Sequence, residues 1–465
     1  MSNVFLQELT EIVGPKNILL TEEEMEPLLK ERRGLYTGTC LAVIQPGSTE
    51  EISRVVKLCN RHTITFTPQS GNTGLCGGAI PSGGILINLA KMNTIRNIDP
   101  LNATLTAESG CVLASLQDAA KQQDLLFTLS SPSENECQIG GNVSTNLGGI
   151  NVLRYGNTRD LVLGLEVVLP SGEIWHGLRG LRKDNAGYNL KHLFIGAEGT
   201  LGIVTAVTLK LYPYPRVQQT AMVATASLAE LMDAFVSVRN HFADNLCGFE
   251  IISQTAMEVV CECGKDAEEP FDSPFPWYGL IELNSTDPDL DLLGPLTKLL
   301  QSSYTFRIAD TEEEAQKLWS LREQISDAQK KKGASIKHDV SLPLNRLVDF
   351  IAEASELVKQ RIPGVLVCCF GHAGDGNVHF NLTQPAEMDG ALFLDLWAEV
   401  NKIVHDVVHR MDGSIAAEHG VGQLKKDELT RYKEPVELEM MRTIKRAFDP
   451  ENLCNPGKVI DALPR

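Results

Sequence analysis

Several features that define other protein classes are missing from this 465-residue sequence. The 11 cysteines are odd in number and scattered without a CxxC pair, which disfavours a disulfide framework and favours a reducing, cytoplasmic compartment. No apolar run reaches the roughly 18 residues of a membrane span, and the N-terminus lacks the regions of a signal peptide. The net charge of −18 disfavours nucleic acid and anionic membranes as partners. We therefore expect a soluble intracellular protein.

The usual nucleotide fingerprints are also missing, since neither GxGxxG nor a Walker sequence occurs. Two glycine-rich passages are present instead, Pro68–Gly78 and Gly140–Gly149. We expect both to be loops whose backbone N–H groups form a nest for a pyrophosphate, which needs no cationic side chain. The alternative is a pair of ordinary surface loops.

The pattern of apolar residues changes at Pro213-Tyr-Pro215. Before it, strands alternate with helices, one of which starts at a capping box formed by Ser48 and Glu51. After it, strands alternate with amphipathic helices, including Leu228–Phe242 and Glu312–Lys332, which predicts an α+β domain. Since two prolines cannot continue a strand, we expect a domain boundary here.

The residues Gly371–Asn381 combine glycines with two histidines after a buried strand predicted over Val365–Phe370. The glycines suit a sharp reversal that lets His372 and His379 face the same point. Together with Glu418, they provide a three-ligand set for a catalytic zinc or another divalent metal. The adjacent His419 is then a candidate acid or base. The alternative is that these are structural histidines.

A second pair of histidines, His405 and His409, has the spacing of a helical metal pair. No HExxH glutamate accompanies it, so we interpret both as ordinary helix residues.

Three motifs carry a family resemblance: Pro68–Leu75, Gly140–Asn146, and the long run from Lys183 to Ile203. They resemble the FAD domain of the vanillyl-alcohol-oxidase superfamily. The second half, with Gly371–Asn381, Glu418-His419 and Asn455-Pro-Gly-Lys458, resembles the C-terminal domain of FAD-linked oxidases. Within this superfamily the sequence looks most like the D-2-hydroxyglutarate dehydrogenases, with D-lactate and glycolate dehydrogenases as near relatives.

The resemblance implies an α+β fold of three parts. We expect an FAD-binding domain at 1–215 and an α+β substrate (cap) domain with the metal site at 216–420. A C-terminal segment at 421–465 returns to the FAD domain.

The resemblance also implies which residues hold FAD. Asn72 occupies the place where superfamily members with covalent flavin often have histidine, so we expect the FAD to be non-covalent. The expected cofactor-binding residues are Pro68, Gln69, Ser70, Gly71, Asn72, Thr73, Gly74, Leu75, Ser133, Gly140, Gly141, Ser144, Thr145, Asn146, Glu198, Gly199, Gly202, Ile203 and Asn455.

For the substrate, spacing alone predicts that Arg322 and Ser326 lie one turn apart on one helix, and it favours solvated charges. The resemblance instead implies that Arg322, Ser326 and Lys337 bind the substrate carboxylate. Ser326 stands where threonine is usual and keeps the hydroxyl. Asn381 is a further candidate for a hydrogen bond to the substrate.

The implied reaction is oxidation of a D-2-hydroxy acid by hydride transfer to flavin, with a divalent metal, expected to be zinc, and His419 as the base. An electron-transfer flavoprotein or a quinone is the expected electron acceptor, and a homodimer the expected assembly. Two other functions remain open. A metal-dependent hydrolase could use the same ligands but leaves the glycine-rich passages unexplained, and alkyl-glycerone-phosphate synthases share the resemblance without oxidising 2-hydroxy acids.

Overall fold

The computed structural model describes residues 2–461, in which the chain forms two compact units. The first unit comprises Met1–Gly148, Gly156–Tyr214 and Glu418–Arg465, as far as these ranges are described. The second unit comprises Gly149–Tyr155 and Pro215–Ala417. The C-terminal segment thus belongs to the same unit as the N-terminal part of the chain.

The chain leaves the first unit between Tyr214 and Pro215, inside the sequence whose two prolines interrupt the strand pattern. It returns after Ala417, slightly before the expected position at residue 420. The excursion of Gly149–Tyr155 into the second unit has no counterpart in the sequence pattern.

A four-stranded sheet in the first unit has three parallel strands and one antiparallel edge strand. The helix Thr49–His62 begins at Ser48, whose side chain accepts a hydrogen bond from the N–H of Glu51, as predicted. The other half of the capping box differs, because the carboxylate of Glu51 accepts from the N–H of Gly47. The strands are, in spatial order, Ile18–Leu19, Ala42–Ile44, Ile85–Asn88 and Phe66–Gln69.

A second sheet of the first unit has five antiparallel strands. A small two-stranded sheet pairs Leu125–Leu126 with Tyr212–Pro213. The five strands are, in spatial order, Ile95–Asp99, Thr104–Glu108, Ile203–Lys210, Val162–Val168 and Ile174–Gly177.

The passage Gly140–Gly149 is not the loop that its composition predicts, because residues Ile139–Thr145 form a helix. Glycine is needed here for close packing rather than for a turn. A Cβ at Gly140 would lie 2.5 Å from the Cβ of Ser109, so only glycine lets the helix approach that residue. The helix ends at Asn146, which adopts the left-handed conformation.

The second unit is built on a seven-stranded sheet in which every neighbouring pair is antiparallel. A cluster of buried apolar side chains, including Ile252, Met257 and Phe370, forms a core of this unit. The strands are, in spatial order, Thr305–Ile308, Val217–Thr225, Trp277–Ser285, Leu246–Ser253, Leu366–Gly371, Asn377–Thr383 and Ser335–Ser341.

Helices accompany the sheets of both units. In the first unit they span Ser2–Val13, Glu22–Leu29, Thr49–His62, Leu113–Lys121, Ile139–Thr145, Thr158–Leu161, Lys191–Phe194, Lys426–Tyr432 and Pro435–Phe448. In the second unit they span Val152–Tyr155, Leu228–Phe242, Gln254–Cys263, Leu293–Gln301, Glu312–Glu323, Ile325–Lys332, Leu347–Arg361, Gly390–Asp395 and Trp397–Arg410.

The helix predicted over Glu312–Lys332 is divided in two at Gln324. The side chain of Gln324 accepts a hydrogen bond from the N–H of Lys265 and donates one to its carbonyl oxygen. These bonds tie the junction to a neighbouring segment 59 residues earlier in the chain, a partner that helical periodicity cannot reveal.

Within residues 2–461, no helix is both long enough and apolar enough to cross a bilayer. All 11 cysteines are free thiols, and most of them are buried. Burial raises the pKa of Cys59 to about 12, which keeps this thiol protonated and unreactive.

Candidate active site

The first glycine-rich passage begins inside the parallel sheet, where Pro68 and Gln69 end a strand. The buried amide of Gln69 donates to the carbonyl oxygens of Leu28 and Ala79 and accepts from Asn88, so this side chain holds the start of the loop. Asn72 has a positive φ of 51° and donates to the carbonyl oxygen of Lys30. The residues Ser70–Leu75 therefore form a loop supported at both its start and its middle.

The two glycine-rich passages lie against each other in the first unit. A Cβ at Gly71 would lie 2.5 Å from the carbonyl oxygen of Glu136, just before the helix Ile139–Thr145. A Cβ at Gly141 would lie 3.5 Å from the Cβ of Ser70. The two passages are therefore one loop and one short helix, rather than the two loops that the sequence predicts.

The remaining expected cofactor residues connect these passages to the rest of the unit. Ser144 accepts through its carbonyl oxygen from the N–H of Glu198, and its hydroxyl donates to Gly140. A Cβ at Gly199 would lie 2.5 Å from the ring of Pro68. The other placements are Ser133, whose hydroxyl accepts from Arg32, Thr145, which donates to Gly141, Gly202 with φ 156°, and Ile203 at the start of a strand.

Glu198 is held in the left-handed conformation with its carboxylate buried. The carboxylate accepts hydrogen bonds from the N–H groups of Val421 and Gly422 at 2.7 and 2.8 Å, and burial raises its pKa. Because the side chain is committed to these amides, any contact of Glu198 with a cofactor must come from its backbone. The carboxylate of Glu198 thereby holds the segment that follows His419.

Asn455 offers a test of whether the first unit fits a cofactor. Its amide nitrogen donates to the carbonyl oxygens of Gly78 and Glu198, which joins the C-terminal segment to the first loop. Its side-chain oxygen is buried without a partner among the described residues, as is that of Gln138. A buried acceptor without a donor is costly. The flavin and adenine rings of FAD carry N–H donors, so these residues fit FAD.

The histidine motif forms the predicted reversal between the strands Leu366–Gly371 and Asn377–Thr383. Gly371 and Gly376 have positive φ values of 138° and 86°. A Cβ at Gly376 would lie 2.2 Å from the carbonyl oxygen of Leu342, so the turn requires glycine there. The rings of His372 and His379 are thereby brought edge to face with 5.5 Å between their centroids.

His372 is oriented by a carboxylate that the sequence did not reveal. Its Nδ1 lies 2.6 Å from Oε1 of Glu250, a buried residue on the strand Leu246–Ser253. Burial raises the pKa of Glu250, but its contacts with His372 and Arg322 outweigh this effect and lower the pKa to about 2. A carboxylate bound at Nδ1 leaves Nε2 of His372 as the nitrogen for a metal.

His379 faces a second carboxylate, that of the buried Asp339 on the adjacent strand, at 3.7 Å. Within the second unit, the rings of His372 and His379, with the carboxylate of Asp339 beside His379, bring two imidazoles and a carboxylate together. Nitrogen and oxygen donors of this kind suit Zn²⁺ and other divalent ions, so the residues fit a metal.

Arg322 lies in the last turn of the helix Glu312–Glu323, with its Nε 2.6 Å from Oε2 of Glu250. Its guanidinium carbon lies 4.8 Å from the ring centroid of Phe370. Among the described residues, no hydrogen bond uses its two terminal nitrogens, which remain as a fork for a carboxylate. The prediction that Arg322 and Ser326 share one helix is wrong, because Ser326 lies in the next helix, Ile325–Lys332.

Lys337 and Asn381 are direct partners on neighbouring antiparallel strands, so their side chains share one face of the sheet. The amide nitrogen of the buried Asn381 donates to Gln329 at 3.0 Å, which leaves its side-chain oxygen able to accept a hydrogen bond. Of the other histidine pair, His405 is buried and packs against the ring of His338, whereas His409 is exposed.

Family models cover both parts of the chain. That of the FAD binding domain matches residues 40–177, and that of the FAD linked oxidases, C-terminal domain, matches residues 214–459. A D-2-hydroxyglutarate dehydrogenase of Xanthomonas citri pv. viticola is 36% identical over 92% of this chain and 90% of that relative. The mitochondrial D-2-hydroxyglutarate dehydrogenase of Bos taurus is 35% identical over 97% of this chain and 82% of the relative.

The fold is also found in a solved structure. That of p-cresol methylhydroxylase with bound substrate superimposes with a TM-score of 0.79, covering 99% of this chain and 97% of the other at 19% identity. The predicted α+β fold of the vanillyl-alcohol-oxidase type is thereby confirmed. The chain belongs to the FAD-linked D-2-hydroxyacid dehydrogenases of the vanillyl-alcohol-oxidase superfamily and is an FAD-dependent oxidoreductase.

Proposed function

We propose that this protein is an FAD- and divalent-metal-dependent dehydrogenase that oxidises D-2-hydroxyglutarate to 2-oxoglutarate. The observation that carries the proposal lies within the second unit, where the rings of His372 and His379 are 5.5 Å apart and Glu250 joins His372 to Arg322. This arrangement supplies metal ligands and a cation for a carboxylate. The names of the relatives support the choice of substrate.

The metal would be held by His372, His379 and Glu418, and zinc is our proposed ion because its usual ligands are of these types. When bound, a divalent ion lowers the pKa of a coordinated hydroxyl group. His419, the neighbour of Glu418, is the proposed base that takes the hydroxyl proton. General base catalysis of this kind contributes about 10²–10⁴-fold in rate.

Arg322, Ser326, Lys337 and Asn381 are the proposed substrate-binding residues. The terminal nitrogens of Arg322 can donate two parallel hydrogen bonds to one carboxylate. A second cation, Lys337, favours a substrate with two carboxylates over one with a single carboxylate, such as lactate. The acidic chain, with its net charge of −18, makes such local cations necessary for an anionic substrate.

FAD supplies the acceptor for the hydride that leaves C2 of the substrate. The proposed binding residues are those of the first loop, the helix Ile139–Thr145, the backbone of Glu198–Ile203, and Asn455. Asn72, which donates to Lys30, is no nucleophile, so we propose that the FAD is non-covalent. Acid precipitation should then release all the yellow colour into the supernatant, and colour that stays in the pellet would refute this assignment.

We further propose an electron-transfer flavoprotein or a quinone as the electron acceptor, a homodimer as the assembly, and the cytoplasm as the location. The absence of a nicotinamide fingerprint from the sequence supports an acceptor other than NAD. The 11 free thiols support a reducing compartment.

The substrate assignment is tested with a panel of D and L enantiomers of 2-hydroxyglutarate, lactate and malate, together with glycolate, using an artificial electron acceptor. D-2-Hydroxyglutarate should have the highest kcat/KM. A tenfold advantage of D-lactate, about 1.4 kcal/mol in transition-state binding, would identify the enzyme as a D-lactate dehydrogenase of the same family instead.

A further inference from the structure

Glu250 is a buried carboxylate that has no role in the proposed reaction. It lies in the strand Leu246–Ser253, whose eight residues are all buried, and its side chain is only 1% exposed. A charge in such a place is strongly unfavourable unless it is paired on all sides. Glu250 is paired twice, since one oxygen contacts His372 and the other contacts Arg322, each at 2.6 Å.

The contact with His372 selects one form of the imidazole ring. An ionised carboxylate can only accept hydrogen bonds, so Nδ1 of His372 must carry the proton that lies between them. The neutral ring then has its lone pair on Nε2. Without Glu250, either ring nitrogen could carry the proton, and the ring would lose the contact that orients its Nδ1.

The contact with Arg322 restricts the guanidinium in the same way. Glu250 accepts from Nε, and the ring of Phe370 lies 4.8 Å from the guanidinium carbon. The carboxylate and the aromatic ring together restrict the orientation of the group, and the two terminal nitrogens make no hydrogen bond with Glu250. Phe370 and His372 are two residues apart on one chain segment, so both supports of Arg322 are connected to the histidine.

We propose that Glu250 is a positioning residue that couples the metal to the substrate carboxylate. By holding His372 in the metal-binding tautomer and Arg322 in the carboxylate-binding orientation, one side chain sets the distance between the two ends of the substrate site. The inference rests on the proposed function. It implies that a single change at Glu250 impairs metal binding and substrate binding together, although Glu250 touches neither ligand.

The test is Glu250→Gln in the FAD-containing full-length protein. Glutamine has the same shape but only one accepting oxygen, so at most one of the two donors keeps its partner. The dissociation constant of Zn²⁺ is measured by competition with a chromophoric chelator, which does not depend on turnover. Zn²⁺ should bind about 10–100-fold more weakly. At saturating Zn²⁺, the KM for D-2-hydroxyglutarate should still be raised more than kcat is lowered.

Glu282→Gln is the matched control. Glu282 lies on the adjacent strand and accepts hydrogen bonds from Thr220 and Trp319, with no histidine or arginine among these partners. Its replacement should leave the Zn²⁺ dissociation constant and the KM unchanged. If the glutamine variant fails to fold, Glu250→Asp is used instead. Aspartate keeps the charge, but its side chain is too short to reach both partners at 2.6 Å. It should weaken both kinds of binding to an intermediate degree.

An unchanged Zn²⁺ dissociation constant in a folded Glu250 variant would overturn the proposal, and so would weaker Zn²⁺ binding with an unchanged KM. Failure of the proposed function has a different signature. In that case the wild-type protein itself would not oxidise D-2-hydroxyglutarate, whereas the Zn²⁺ titrations of the variants would still report on Glu250.

Discussion

In the first unit, the segments that carry the FAD motifs pack closely at glycines, mainly through backbone contacts. In the second unit, buried charged side chains contact the histidines of the candidate site. Gly71, Gly140 and Gly199 each lie where a side chain would collide with a neighbour. In the second unit, Glu250 and Asp339 are buried carboxylates that face His372 and His379. A backbone site suits a large cofactor with many hydrogen-bonding groups, and a charged site suits a metal and a small anion.

This difference has a functional consequence. Replacing a charged residue of the second unit should affect metal and substrate while FAD stays bound. Replacing a close-packed glycine of the first unit should affect folding and FAD binding. Flavin content and turnover should therefore change independently of each other. If every variant changed both together, the proposed difference between the two units would be wrong.

His419 belongs to the first unit, but its proposed role is to accept the hydroxyl proton. It therefore tests the difference between the two units most severely. His419→Ala should lower kcat by about 10²–10⁴-fold, since the hydroxyl proton would lose its acceptor. Steady-state kinetics check this, with metal and FAD contents measured on the same sample. His409→Ala, at an exposed helix position, should leave kcat unchanged. A near-normal kcat in His419→Ala would refute the proposed base.

Arg322→Lys tests the role of a charged side chain of the second unit. Lysine keeps the charge but loses the planar fork and the Nε contact to Glu250, so KM should rise roughly 10–100-fold, equivalent to about 1.5–3 kcal/mol. The flavin spectrum should not change. Arg361→Lys is a suitable control, because Arg361 makes a bidentate pair with Glu399 on the surface. A larger effect on kcat than on KM in Arg322→Lys would contradict a binding role.

Gly140→Ala tests the first unit. The added Cβ would lie 2.5 Å from Ser109 Cβ and 3.0 Å from its carbonyl oxygen, so the helix must shift. Such overpacking typically lowers the free energy of unfolding by about 1–3 kcal/mol. Denaturant titration and FAD content measure the effect. Gly180→Ala, whose Cβ would have no neighbour nearer than 3.7 Å, should be tolerated. Equal stability of the two variants would show that close packing at Gly140 is unimportant.

The local parts of this structure could be predicted from sequence. The helix Leu228–Phe242 has the predicted bounds, because apolar periodicity and the capping residue Ser227 lie within the segment itself. The reversal between the strands of the histidine motif follows equally from local glycines. In both cases the information that determines the structure is contiguous in the chain.

The parts that could not be predicted depend on distant partners. Gly140 belongs to a helix that packs closely against Ser109, a residue distant in sequence, whereas composition alone favoured a loop. Glu250 is a single glutamate in an apolar strand, and its partners are 72 and 122 residues away in sequence. No spacing rule links such positions. Buried carboxylates that orient a histidine are therefore visible only once the strands are paired.

The proposed metal-dependent oxidation of D-2-hydroxyglutarate is tested most directly by anaerobic reduction of the flavin with this substrate. The reduction is followed by absorbance in a stopped-flow experiment. The protein is compared with a chelator-treated sample whose FAD content is intact and whose metal content is verified to be negligible. We expect rapid bleaching of the flavin in the metal-containing protein and none in the metal-free protein, with recovery when Zn²⁺ is restored. Equal rates of bleaching in the two samples would contradict this expectation.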